Sequence, residues 1–295
     1  MAEFPKRQPG REMKKIVQRL VVFFVGLPLL LLVVVFFPQR NHLLLNLVTI
    51  VFSVLGAVEF RNILSHKNLH ISLPEAIILG AISPAAWTVV VSFSVMGQVV
   101  PGAFILGASW LLVSQIFTGK EKFDSYIGRV TAGFAVMIYP GLFMAWIVQM
   151  AMLPHAGMVI LIFFLVALLN DAIAWASGIL FGKNNRGLVA ASPKKSIAGF
   201  IGGLTASILT GIVAAMVIPG AFTSDIMPSI PAGAILGLGA GVASTLGDLG
   251  ESILKRSAGV KDSGSLILGR GGALDSIDSL ALAAPVYYIL YRVLF

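Results

Sequence analysis

The chain has 295 residues, of which 57% are hydrophobic and 12% charged, with a mean hydropathy of +0.93. An average soluble domain is about 25% charged, so a soluble globular fold is excluded and an integral membrane protein is expected. The formal charge of +8 is read as topology and attraction to anionic lipid, with no nucleic-acid partner, and the lack of cysteine rules out disulfides, thiolate metal sites and cysteine nucleophiles.

A basic leader precedes a first expected span over 18–37. Its apolar run from Leu20 to Phe37 is too long for a cleaved signal, and no small-residue cleavage motif follows, so a retained helix is expected. A second span covers 43–61. Between Glu75 and Lys120 lie 44 residues without Asp, Glu, Lys or Arg. As one helix they would extend about 66 Å, twice the ~30 Å hydrocarbon core. They therefore read as a hairpin of spans 75–95 and 101–118, turning where Gly97, Gln98 and Pro101 sit. Spans 128–151 and 157–181 follow, turning at Leu153-Pro154-His155, with Gly133, Pro140 and Gly141 expected to kink the first of them. The last three spans are 198–218, 231–249 and 277–294. The expected fold is an all-α polytopic membrane protein of about nine transmembrane helices.

Nineteen of the 21 bases fall on loops that share a side with the N-terminus; Arg40 and Arg292 fall on the other. The positive-inside rule then makes the N-terminus and the large loops cytoplasmic and the C-terminus external. The expected setting is the cell (inner) membrane. The chain divides into an N-terminal scaffold half, 1–156, with little chemistry, and a C-terminal catalytic half, 157–295, rich in glycine and charge, within one membrane domain.

Three clusters carry candidate chemistry. Asp171 lies about two turns inside the sixth span, with Gly178 and Gly182 on its face and Lys183 at the end. A carboxylate at that depth costs about 2.5–3.5 kcal/mol; packing of the glycines, with Asp171 hydrogen-bonded to a neighbouring helix, is the alternative. The second cluster is Ser192-Pro193-Lys194-Lys195. Serine then proline is a helix start, as N-cap and first position; equally, a helix N-terminus with two lysines can face a polyphosphate. The third, residues 244–278, holds Asp248, Glu251, Asp262, Asp275 and Asp278, five of the thirteen acids, together with Lys255, Arg256, Lys261 and Arg270. Asp248, Ser252 and Lys255 share a helical face, and Glu251 pairs with Lys255 at i, i+4. Asp275 and Asp278 resemble a capping box, but Mg²⁺ is also held by one or two carboxylates plus substrate phosphates. The mixture suits metal ions on acids and phosphates on bases. The four histidines lack metal-ligand spacing, and Glu59 is taken as structural, pairing with Arg61 or reaching the interface.

These residues resemble the signature of the phosphatidate cytidylyltransferase (CDP-diacylglycerol synthase) family. The matching residues are Ser252-Ile253-Leu254-Lys255-Arg256, Lys261-Asp262 and Arg270-Gly271-Gly272-Ala273-Leu274-Asp275-Ser276-Ile277-Asp278. Gly247-Asp248-Leu249-Gly250-Glu251, Asn170-Asp171 and Ser192-Pro193-Lys194-Lys195 with Gly202-Gly203 match upstream. Arg270 stands where the family usually has His, Ser276 where it has Arg, Trp175 where it has Tyr and Ala198 where it has Glu. The resemblance implies transfer of CMP from CTP to phosphatidate, giving CDP-diacylglycerol and pyrophosphate at the cytoplasmic face. It implies Mg²⁺, with a second cation left open, on Asp248, Asp275 and Asp278. Lys255, Arg256, Lys261 and Arg270 would hold phosphates, with Asp262 among the catalytic set. Asp171, Lys183, Ser192, Lys194 and Lys195 would bind the nucleotide or orient its neighbours. The partners are CTP, phosphatidate and the bilayer, with a homodimer left open. Three alternatives stand: a CTP-dependent polyprenol or phytol kinase, an ion-coupled transporter, and an inactive scaffold.

Overall fold

The computed structural model describes residues 26–116, 123–267 and 271–295. The basic leader, the start of the first expected span, Lys120, Lys122 and Arg270 lie outside them. Among the described residues nine helices follow in order: α1 (Leu27–Phe36), α2 (Gln39–Ser65), α3 (Leu73–Phe93), α4 (Val99–Val113), α5 (Phe123–Met150), α6 (Ala156–Leu180), α7 (Ile197–Val217), α8 (Ser229–Ser257) and α9 (Leu274–Leu294). Seven of them, α2, α3 and α5 to α9, are long and apolar enough to cross a bilayer, which makes this an integral membrane protein. The expected nine-helix order is found. Helix α4, expected over 101–118, has 15 residues, about 22 Å at 1.5 Å per residue, and falls short of the hydrocarbon core.

Local sequence explains most boundaries. Ser72 and Glu75 form a capping box at the start of α3, with a proline in its first turn. Pro154 and His155, the latter left-handed at φ 53°, make the predicted turn before α6. Helix α7 begins after Ser196, whose hydroxyl accepts the Gly199 N–H at 3.1 Å. Ser192 was the expected cap; it sits instead in a turn in which its carbonyl accepts the Lys195 N–H at 3.1 Å. Helix α8 runs two turns past its expected end at 249, because its charged last turns, Glu251 to Lys255, remain helical beyond the apolar stretch.

The predicted break in α5 takes the form of a π-helical segment, Met137–Leu142, with Pro140 inside it. Proline has no N–H to give to the helix ladder, and the π turn absorbs the loss. The hydroxyl of Ser53 on α2 faces the carbonyls of both Pro140 and Gly80, so α2, α3 and the π segment meet at one point. A Cβ on Gly141 would lie 3.2 Å from the Leu79 carbonyl oxygen, so α3 comes up against the backbone there.

The second half packs through glycine seams. Gly211 of α7 meets Gly233 of α8 backbone to backbone, with no room for a Cβ on either. Gly178 of α6 and Gly182, just past its end, lie against the Ser196 side chain, so these glycines make a packing seam. Helix α9 runs antiparallel to α6 and is pinned at its far end: Tyr287 donates to the Val159 carbonyl at 2.9 Å and Tyr291 to the Ala221 carbonyl at 2.6 Å. The exit ends of α2, α6 and α8 and the entry ends of α7 and α9 thus gather at one end of the bundle, the end that carries the basic loops.

Candidate active site

Helices α8 and α9 press backbone against backbone where the acids are. A Cβ on Gly247 would press on the Asp278 carbonyl and lie 3.3 Å from the Leu282 Cβ. Absence of a side chain at 247 therefore lets α8 carry Asp248 and Glu251 up to the first turns of α9. Glu251 and Lys255 are buried, whereas Asp248 is partly open. The Lys255 ammonium lies between the Glu251 carboxylate and Asp275 Oδ1, pairing with both. The other Asp275 oxygen accepts the Gly272 N–H at 2.7 Å, the Ser263 N–H at 3.0 Å and approaches the Ser263 hydroxyl at 2.9 Å. Gly271, at φ 112°, makes the turn that aims these groups, a conformation costly for any residue with a Cβ.

Glu59, on α2 in the N-terminal half, is the unexpected member. Its carboxylate is buried and accepts the N–H groups of Ala273 at 3.0 Å and Leu274 at 2.9 Å, with the Ser263 hydroxyl at 2.8 Å. It thereby caps the N-terminus of α9 from another helix, where unsatisfied N–H groups and the helix dipole favour an anion. A Cβ on Gly264 or Gly272 would collide with this carboxylate. Arg61, the expected partner, turns away to the Ile71 carbonyl and Asn62. Glu59 is over 200 positions from its partners, and sequence spacing carries no signal for that contact.

Asp278 is buried and its Oδ1 accepts the Ser279 N–H at 2.6 Å. The charges of Asp248, Glu251 and Asp171 all act on it. Asp171 of α6 accepts the Ser279 hydroxyl at 3.0 Å, the interhelical hydrogen bond that its depth in the span allowed for. One position earlier, Asn170 knots α6 to α7 and α8 through Ser207, Ser244 and Thr245. Lys195, just ahead of α7, pairs with Asp248 at 2.5 Å and closes the cluster on the open side.

Of the residues expected in the site, Asp171, Lys195, Asp248, Lys255, Asp275 and Asp278 thus converge. Lys183, Lys194, Lys261 and Asp262 are exposed, and Ser192 is half-buried in the turn before Lys195. Arg256 points outward, donating to the Ala191 and Val260 carbonyls at 3.4 and 3.2 Å. Ser276 gives its hydroxyl to the Gly272 carbonyl at 3.2 Å, a local bond that brings no charge. Glu251, Glu59 and Ser263 join the site without having been assigned to it; the i, i+4 spacing to Lys255 was the available signal for Glu251.

Among the described residues no three acids or histidines are grouped as a ready metal cage. Two features still fit a cation. Glu251 is buried with no hydrogen-bond donor on either oxygen beyond its pairing with Lys255, and Asp278 is buried without a basic partner among the described residues. A cavity of about 230 Å³ lies at the opposite end of the bundle, lined by His155, Tyr291 and Arg292 among others, and contains none of these acids.

The profile of the Cytidylyltransferase family matches residues 17–294. A phosphatidate cytidylyltransferase of Synechocystis is 42% identical over 136 residues, covering 44% of each chain. One of Haemophilus influenzae is 37% identical over 139 residues, covering 47% of each chain, so the chain spans less than half the length of these two relatives. One of Staphylococcus epidermidis is 29% identical over 277 residues, covering 92% of this chain and 95% of that one. The match covers most of the chain, and the chain belongs to the cytidylyltransferase family.

Proposed function

We propose that the protein is a phosphatidate cytidylyltransferase of the cell membrane, joining CTP and phosphatidate to give CDP-diacylglycerol and pyrophosphate on the cytoplasmic side. The observation that carries the reading is the convergence of Asp248, Glu251 and Asp278, at the crossing fixed by Gly247, with Lys195 and Lys255. Membership of the family and the names of the similar proteins support the substrates. The basic character of the loops at this end supports the cytoplasmic placement.

The reaction needs little covalent help from the protein. An oxygen of the lipid phosphate is already a nucleophile; it bonds to the α-phosphorus of CTP while the bond to the bridging oxygen breaks and pyrophosphate departs. What remains for the protein is alignment and charge neutralisation. Asp248, Asp278 and Glu251 would hold Mg²⁺, with the substrate phosphates completing its oxygen ligands, as Mg²⁺ prefers. That ion, when bound, supplies neutralisation of the triphosphate and of the leaving pyrophosphate. Asp275 plays a different part. With both oxygens engaged by Lys255, Ser263 and Gly272, it holds the ammonium in place and the 263–275 loop in shape. Lys195 would exchange its contact with Asp248 for a phosphate as substrate arrives. Lys183, Lys194, Lys261 and Arg256, with Arg270, would draw the nucleotide to the mouth. The headgroup reaches the acids from the bilayer between helices.

The test is purified protein in detergent or vesicles with Mg²⁺, labelled CTP and phosphatidate. Pyrophosphate release should require the lipid and Mg²⁺ and fall at least a hundredfold in Asp278→Asn. Release of CDP with an alcohol acceptor would assign a lipid kinase instead. Parental turnover in both Asp248→Asn and Asp278→Asn would remove the carboxylate assignment.

A further inference from the structure

Tyr139 lies on the π-helical segment of α5, Met137–Leu142, in the scaffold half. Its ring packs edge-on against Phe60 at 5.4 Å between centroids and against Phe143 at 6.4 Å. Packing of this kind asks only for a phenyl ring. The hydroxyl is nonetheless buried with no hydrogen-bond partner. Leaving a buried hydroxyl unmade typically costs about 1–3 kcal/mol, so phenylalanine would be the more stable choice if the residue served the core alone.

Its surroundings say what the hydroxyl is for. Pro140, the next residue, and Ile277 and Leu274 of α9 all lie around Gly56, where a Cβ would lie 3.0 Å from Ile277 and 3.5 Å from both Leu274 and Pro140. The π segment therefore abuts the turn of α9 that carries Asp275 and Asp278. The charges of Asp278, Glu251, Asp248 and Asp275 all act on the Tyr139 hydroxyl. Phe60, which fixes the ring, directly follows Glu59, the cap of α9. Ser53 holds the Pro140 carbonyl and so the pitch of the π turn. A π turn widens the helix by one residue and re-aims the side chains on it, which is why such turns recur at functional sites.

We propose that Tyr139 is a substrate-binding residue, donating its hydroxyl proton to a phosphate oxygen of the substrate held at the acid cluster. The inference rests on the nucleotidyl-transfer reading and adds to it a donor from the N-terminal half. A neutral donor suits this place: among acids it adds no charge for them to neutralise, yet a hydrogen bond to a charged phosphate contributes about 1.5–3 kcal/mol. The phosphate could belong to CTP or to the lipid headgroup, and kinetics separates the two.

The test compares Tyr139→Phe with the parent for melting temperature, and for kcat and KM with each substrate varied in turn. The variant should melt at or above the parental temperature, since it loses only an unpartnered hydroxyl, while kcat/KM falls about 10- to 100-fold, the equivalent of one charge-assisted hydrogen bond. A rise confined to the KM for CTP assigns the contact to the nucleotide, one confined to the KM for phosphatidate assigns it to the lipid, and a fall in kcat alone places it in the transition state. An active parent whose variant has unchanged kinetics overturns the Tyr139 role and leaves the reaction standing. A variant that melts well below the parent also overturns it, because the hydroxyl would then have a structural partner. If the parent neither turns over nor is stabilised against heat by CTP or phosphatidate, both readings fall.

Discussion

Replacing Glu59 tests whether the N-terminal half builds the site or merely surrounds it. In Glu59→Gln the side-chain volume is kept, but one of the two acceptor oxygens becomes an NH₂ aimed at donors. The carboxylate now takes two main-chain N–H groups, from Ala273 and Leu274, and faces the Ser263 hydroxyl. Hydrogen bonds to a charged group contribute about 1.5–3 kcal/mol each, and an orphaned buried donor costs about 1–3 kcal/mol. Losing the charge and one acceptor should then cost roughly 2–4 kcal/mol, with Glu59→Ala higher still. The four tryptophans allow the melting temperature to be followed by intrinsic fluorescence in detergent. The activity loss should exceed what the lost stability explains, because the first turn of α9 carries Asp275 and Asp278, and displacement of about 1 Å can lower a rate about a hundredfold. Glu75→Gln is the control: Glu75 pairs with Arg129 and caps α3 but contacts none of the acid cluster. It should lower the melting temperature by a comparable or smaller amount and leave turnover within about threefold, the size of a lost cap. If Glu59→Gln melts and turns over like the parent, the cross-helix cap does not hold α9 in place.

Lys255→Met would leave Glu251 and Asp275 facing each other without their shared ammonium; breaking a buried pair in this way costs about 3–5 kcal/mol, so folded yield and melting temperature should drop sharply, and Lys255→Arg should recover part of both. Parental melting in Lys255→Met would show that the bridge carries no weight. On one helix, Gly247→Ala and Gly250→Ala should behave oppositely. The first drives a Cβ into the Asp278 backbone, which cannot yield as a flexible side chain would, and should cost about 1–3 kcal/mol together with most of the activity; the second meets open space and should be neutral or stabilising by about 0.5–1 kcal/mol. Equal melting temperatures would refute the close α8–α9 crossing. Because the chain has no cysteine, His155→Cys and Lys183→Cys can each be labelled alone with a membrane-impermeant maleimide. In inverted vesicles the position at 183 should react and that at 155 should be protected; the reverse pattern would invert the orientation read from the basic loops.

The sequence was most legible where one local force decides. Long uncharged runs cannot be anything but spans, and a proline within one has to disturb it, which is why the helix order and the break at Pro140 could be anticipated. The pairing of Glu251 with Lys255 follows from helical spacing alone. Less could be read where two local signals competed or where the partner was distant. Ser192 before a proline carries the better N-cap signature, yet Ser196 adopts the extended conformation and makes the cap. The fate of Asp275 depended on Ser263 and Gly272 folding back over it, and that of Glu59 on a loop over 200 residues away. Neither contact leaves a period or a spacing to read. The halves drawn at 156 describe where charge falls along the chain; in space α2 and the π turn of α5 both abut the site.

On the proposed reading, the charge at the site gives cations a place there. Glu59, Asp171, Asp248, Glu251, Asp275 and Asp278 gather around two described lysines, Lys195 and Lys255. Glu59 is offset by the N-terminus of α9, Asp275 by Lys255 and Asp248 by Lys195. Asp278 is left with the main-chain N–H of a neighbouring serine, and Glu251 with a share of one ammonium already engaged elsewhere. The two polyanionic substrates of the proposed reaction would not approach such a surface at ordinary cost, since like charges about 4 Å apart repel by about 4 kcal/mol even at an effective dielectric near 20. Either protons or metal ions would have to enter with them. Phosphate oxygens and carboxylates together are the ligand set that Mg²⁺ takes, so the acids that would repel substrate alone become, with the ion, the means of holding it. Glu251 and Asp278, the least compensated of the group, would then govern metal affinity, while Asp275 and Glu59 govern the shape of the site.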